Sequence, residues 1–209
     1  MKFFYTRGFD IMTIDKNDLL NSILESLSRI DYIHSEEIPN IDLYMDQVTT
    51  FMETQLSSTK RYEQDKILTK TMINNYAKNH LLPAPVKKKY SKEHLLVLIF
   101  IYYFKNLLSI HDIELLLKPL TEKYFQTSED FDLSAVYKEV CQLEKSRITS
   151  VQEDIKNLWE ESSRTYQDAP KEDQEYLQLF AFICSLSFDV YIKKTIIEKL
   201  IDSFSDEKK

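Results

Sequence analysis

The chain has 209 residues, 43% apolar and 29% charged, with 12 Phe, 13 Tyr and 1 Trp, a composition that excludes disorder for most of its length. Its only glycine is Gly8, so phosphate-cradling loops, dinucleotide-binding turns and nucleophile elbows are excluded downstream, and no enzymatic activity is expected. The net charge is −7, but residues 60–105 hold ten basic against three acidic residues, a local balance of +7 that leaves −14 for the rest.

Scarce glycine also disfavours a large antiparallel β protein, because tight hairpins need positive φ. Cys141 and Cys184 lie far apart, and His34, His80, His94 and His111 lack metal-ligand spacing, so neither a zinc site, a disulfide framework nor a cofactor is expected. The longest apolar run, residues 95–104, is well short of the ~20 residues a membrane helix requires. Residues 1–10, with Arg7 and Asp10, lack a signal-peptide pattern. A soluble, cytoplasmic protein is expected.

Leu19, Leu20, Ile23, Leu24, Leu27 and Ile30 recur at three-and-four spacing, predicting an amphipathic helix over 16–30 with Asp15 as N-cap. After Pro39, Asp42 opens a second helical pattern that runs through Val48, Phe51 and Met52 to Leu56. Polar residues 55–65 read as a loop. Thr69 offers an N-cap for a short helix with Met72, Ile73 and Tyr76 on its apolar face and Lys70, Thr71, Asn74, Asn75 and Lys78 on the other; it cannot pass Pro83.

Residues 83–89 (Pro-Ala-Pro-Val-Lys-Lys-Lys) read as an extended basic connector. Ser91 caps a largely apolar, buried helix over 92–106, with Glu93 in its first turn. Ser109, with Asp112 three residues on, starts a helix over 110–117 that turns Ile113, Leu116 and Leu117 inward. Beyond Pro119 the chain turns acidic.

A long helix is predicted over 132–164, with Ile148, Val151, Ile155 and Leu158 on heptad-like spacing. After Asp168 and Pro170, residues 176–204 are rich enough in Leu, Ile and Phe for a second long helix, with a break expected near 185–189. Its Phe180, Phe182, Phe188 and Tyr191 read as core or dimer interface rather than as an effector pocket. A charged tail closes the chain at 206–209.

From residue 66 to residue 92 there are seven lysines and no Asp or Glu, the electrostatic footprint of a polyanion-binding face on an otherwise acidic protein. Within this window, residues 68–76 (Leu-Thr-Lys-Thr-Met-Ile-Asn-Asn-Tyr), 81–85 (Leu-Leu-Pro-Ala-Pro), 88–95 (Lys-Lys-Tyr-Ser-Lys-Glu-His-Leu) and, beyond it, 108–113 (Leu-Ser-Ile-His-Asp-Ile) follow in an order that resembles the MerR-type winged helix-turn-helix. The match covers residues 42–120. More closely, residues 39–120 look like a bacterial domain family of unassigned activity that carries this MerR-like unit.

The expected fold is all-α: an N-terminal amphipathic helix over 1–38, the winged helix-turn-helix that the resemblance implies over 39–120, and a C-terminal helical domain with long helices over 121–209. It implies a double-stranded DNA site made of Thr69, Lys70, Thr71, Asn74, Asn75 and Lys78 on the recognition helix and of Lys87, Lys88, Lys89 and Tyr90 on the wing. The chain departs from the family pattern at Asn74, where a phosphate-contacting arginine is usual, and at His80, which replaces a glycine. A long polar insert over 57–65 and a short wing over 86–89 are further departures.

The wing lysines suit phosphate contact. Asn74 and Asn75 are either base readers, since a side-chain amide pairs bidentately with adenine, or ordinary helix-surface residues. Tyr76 and Tyr90 read more readily as core tyrosines, and His94 and His111 as structural. A transcriptional regulator is therefore expected, whose acidic C-terminal part dimerises it or senses a small-molecule or protein effector. The alternative is a protein-interaction module on the same scaffold that uses its basic face on an acidic protein.

Overall fold

The computed structural model describes residues 16–27 and 33–206. It divides into two units, residues 1–31 and 32–209. In the first, Lys16–Leu27 form helix α1, with Leu19, Leu20, Ile23 and Leu24 at amphipathic spacing. Arg7, Gly8, Asp10, the expected cap Asp15, the continuation to Ile30 and the tail over 207–209 lie outside the described residues.

The second unit is built around a run of nine buried residues from His94 to Tyr102 in helix α4 (Lys92–Phe104). A helix apolar on all sides is stable only when neighbours cover each face, and each fully buried Leu, Ile or Phe contributes about 1.5–3 kcal/mol. The cover comes from α2 (Met45–Leu56), α3 (Lys70–Lys78), α5 (Ile110–Tyr124) and α6 (Leu133–Ser163), whose Met52, Ile73, Ile113, Leu133 and Tyr137 join the same core. Buried Tyr137 also donates its hydroxyl to the Ile33 carbonyl at 2.6 Å, tying the start of the unit to α6. No described helix is long and apolar enough to cross a membrane.

Among the described residues seven helices make the protein mostly helical, with one two-stranded sheet. Strand β1 (Leu43–Tyr44) pairs antiparallel with β2 (Lys89–Tyr90) in the register Leu43↔Tyr90 and Tyr44↔Lys89. The helix expected from Asp42 therefore starts later, at Met45, where the Tyr44 N–H donates to Gln47 Oε1 at 2.9 Å. Pairing with Tyr90, 47 residues away and invisible to local periodicity, takes Leu43 out of the helix.

The polar insert after α2 is fastened rather than loose. A 3₁₀ turn at Ser57–Thr59 brings the Thr59 hydroxyl to the Tyr102 hydroxyl, and Lys60 pairs with Glu53. Lys105 donates to the Ile67 carbonyl at 2.7 Å with its ammonium 4.7 Å from the Tyr102 ring centre, and Ile67 and Leu68 are buried. Both ends of the insert are thus held on α4.

Pro119 does not end α5, as expected, but lies inside it, so the boundary expected at residue 120 falls within a helix. Proline forfeits one backbone hydrogen bond and crowds the preceding turn. Here buried Leu117 and half-buried Leu120 and Tyr124 on either side keep the helix in the core.

Asp132 caps α6 by accepting from the Ala135 N–H at 2.9 Å, and the helix runs 31 residues, about 46 Å. Helix α7 (Lys171–Asp206) has 36 residues, about 54 Å, and the break expected near 185–189 does not occur. The Ser187 hydroxyl donates to the Ile183 carbonyl within the continuous helix. Trp159 meets Phe182 edge-on at 5.0 Å, and Ile148, Ile155 and Leu158 of the expected α6 stripe are half-buried while Val151 is exposed. Farther along, Ile201 of α7 joins the common core.

Candidate nucleic-acid interface

Helix α3 carries the polar face of interest. Its start is set by Thr69, whose hydroxyl accepts from the Met72 N–H at 3.2 Å. That bond satisfies one of the otherwise unpaired donors of the first turn, so Thr69 acts as the cap. Ile73 and Tyr76 are buried, which fixes the rotation of the helix and leaves Lys70, Thr71, Asn74, Asn75 and Lys78 exposed. Lys70 is ion-paired with Asp46 in the first turn of α2, so it joins two helices as well as adding charge.

The helix ends in a Schellman motif. The Leu81 N–H donates to the Tyr76 carbonyl at 2.9 Å and the His80 N–H to the Ala77 carbonyl at 3.3 Å. This geometry places His80 in the left-handed region, at φ 60°, where glycine is usual. The buried pair Leu81 and Tyr76 closes the cap and turns the chain towards Pro83.

The basic connector is a tight turn rather than a plain extended segment. Val86 and Lys89 form an antiparallel bridge, with the Lys89 N–H donating to the Val86 carbonyl at 2.9 Å. The two residues between them have positive φ, 50° at Lys87 and 64° at Lys88. A two-residue hairpin needs that backbone and normally uses Asn-Gly or Asp-Gly. Each left-handed lysine costs about 1–2 kcal/mol relative to the right-handed region. Both side chains are exposed, and neither forms an ion pair with a described residue. Lys89 is half-buried, with its ammonium 5.4 Å from the ring centre of Tyr44, its partner across the sheet.

Tyr90 departs from the expected DNA-facing set. It is 3% exposed, sits in the core, and meets the His94 ring edge-on at 5.5 Å. Alternation along β2 explains this, since adjacent strand residues point to opposite faces. Burial raises its phenol pKa.

Behind the turn, His94 Nδ1 accepts from the Ser91 N–H at 3.0 Å, and the ring stands edge-on to Phe125 at 4.8 Å. The histidine at the third helical position thus takes the part that Glu or Gln has in a capping box. Burial pushes its imidazole pKa below the usual value, against the opposing effects of the Ala84 backbone and the Glu93 charge. His94 is structural, whereas His111 is exposed on α5.

Six of the ten expected residues are therefore free to meet a partner: Thr71, Asn74, Asn75 and Lys78 on α3, and Lys87 and Lys88 on the turn. Thr69, Lys70 and Lys89 have structural engagements, and Tyr90 is core. The sequence reading missed Tyr44, 54% exposed beside Lys89, and Tyr62, 52% exposed under the Arg61 guanidinium at 5.2 Å. The second pair was legible as adjacent Arg and Tyr inside the basic window; the first depends on strand register. No cluster of His, Cys, Asp or Glu among the described residues could hold a metal.

A family model described as "Domain of unknown function (DUF1836)" matches residues 33–140, which takes in α2 to α5 and the first two turns of α6. No curated protein and no solved structure matches the chain.

Proposed function

We propose that this chain, which belongs to the DUF1836 family, binds double-stranded DNA through the exposed face of α3 and the Lys87–Lys88 turn, as a MerR-like winged helix-turn-helix, and regulates transcription. The observation that carries the reading is the turn itself. Two lysines occupy strained left-handed positions at its tip, unpaired with any described residue, in a window of balance +7 on a chain of net −7. Local strain persists where the surrounding structure over-determines it and clusters at functional sites.

In this reading Lys87, Lys88 and Lys78 neutralise phosphates and release counterions, which supplies affinity without sequence preference. Asn74 and Asn75, on an exposed helix face with no apolar contact to make, read base edges in the major groove. Tyr44 keeps Lys89 oriented by its ring.

The test is selection from a random duplex pool, followed by titration of the enriched sequence from low to moderate salt. Enrichment of a sequence together with a steep salt slope supports the reading. A slope near zero, or no enrichment above input, refutes it, and binding to an acidic protein would then be the explanation of the basic face.

A further inference from the structure

Residues 187–194 of α7 are all exposed, eight consecutive positions, so no described residue buries any face of these two turns of helix. Four of them are large and apolar: Phe188 at 61% exposure, Val190 at 55%, Tyr191 at 65% and Ile192 at 40%. Aromatic and β-branched residues are mediocre helix formers, and helices in proteins draw most of their stability from a packed face. Among the described residues this segment has neither source.

The exposed apolar surface extends in both directions from it. Eleven large apolar side chains of α7 are 36% to 65% exposed. At about half of the ~200 Å² that a large side chain carries, they present on the order of 1,000 Å². The largest apolar patch on a typical monomer is ~300–600 Å². One partner's share of a standard protein interface is ~800 Å².

We infer that a second copy of this chain docks along α7 over residues 176–204, making the protein a symmetric dimer through this helix. Three observations select a second copy as the occupant. The patch matches one subunit's share of a stable interface. A two-fold contact sets the same apolar surface against itself, covering both at once. Charge does not oppose it: outside residues 60–105 the chain carries −14, yet residues 176–197 hold Asp189 against Lys193 and Lys194. The inference stands independently of nucleic-acid binding, and its test uses no DNA.

The test is sedimentation of the full chain with Phe188→Glu/Tyr191→Glu as the variant. Both side chains are exposed, so the change leaves the core intact, which thermal unfolding monitors. The wild type is expected to sediment at twice the chain mass at micromolar concentration, and the variant to weaken association at least 100-fold, as loss of two central anchors does. A second measurement is alkylation of Cys184, exposed on the same helix, in the Cys141→Ser chain. Its rate should fall several-fold as protein concentration rises into the dimer range. A wild-type monomer up to 100 µM overturns the inference, as does a dimer that survives the double substitution, or a Cys184 rate independent of concentration. In the first case the face belongs to a different protein.

Discussion

Relaxing the lysine turn should strengthen the fold and weaken the binding together. In Lys87→Asn/Lys88→Gly the left-handed positions, φ 50° and 64°, are filled by residues that tolerate them. Removing the steric cost gains about 1–2 kcal/mol per residue, and the glycine loses back about 0.5–1 kcal/mol through its freer unfolded chain. The net gain is about 1–3.5 kcal/mol, which for a chain of this size raises Tm by roughly 3–10 °C in thermal unfolding. Losing two phosphate contacts lowers the salt slope of duplex binding by about 1.8. Between 50 and 200 mM salt the wild type should therefore lose about tenfold more affinity than the variant. Lys87→Gln/Lys88→Gln is the control, removing charge but keeping the strain; it should lose the slope without gaining Tm. A fall in Tm for the Asn/Gly variant would refute the left-handed turn, and an unchanged slope would remove the turn from the interface.

Asn74→Ala or Asn75→Ala should cost about 1–3 kcal/mol on a selected site and much less on random duplex; equal loss on both indicates phosphate contact. His94 is neutral in the fold and its pKa lies below the usual 6.5, so the unfolded chain binds the proton more readily. Stability should fall as pH drops below about 6.5, by at most about 1.4 kcal/mol per pH unit, and His94→Gln should flatten that part of the Tm profile. Tyr137→Phe leaves the buried Ile33 carbonyl without its donor, and urea unfolding should register a loss of about 1–3 kcal/mol.

The helices were legible where a cap and an apolar period agreed. Thr69 and Ser109 each accept the hydrogen bond that their position in the sequence predicts. What local pattern missed was set at a distance. Leu43 pairs with Tyr90 and so leaves the helix to which its own neighbours would assign it. Pro119 is a helix breaker by propensity, yet core packing carries the helix across it. The candidate site was readable as residue types and charge, because an exposed face shows itself by its polarity. Which of those residues are engaged depended on tertiary contacts: Lys70 on Asp46, Lys89 over Tyr44, and Tyr90 under the sheet. The Lys87–Lys88 turn was illegible for a different reason, since turn preferences name Asn and Gly there and two lysines give no local signal of it.

Five described residues, His80, Lys87, Lys88, Gln126 and Tyr166, take positive φ, and none is glycine. The thermodynamic counterpart lies in the unfolded state. A chain of this length at average usage, ~7%, would carry about 15 glycines, and this one carries one. Each absent glycine removes roughly 0.5–1 kcal/mol of backbone freedom that folding would otherwise surrender, on the order of 10 kcal/mol in all. Five left-handed positions at about 1–2 kcal/mol each oppose it with a similar sum. The strain of the native turns is thus offset by the stiffness of the denatured chain. Glycines placed at exposed loop positions elsewhere would upset that balance and lower stability without breaking a single native contact.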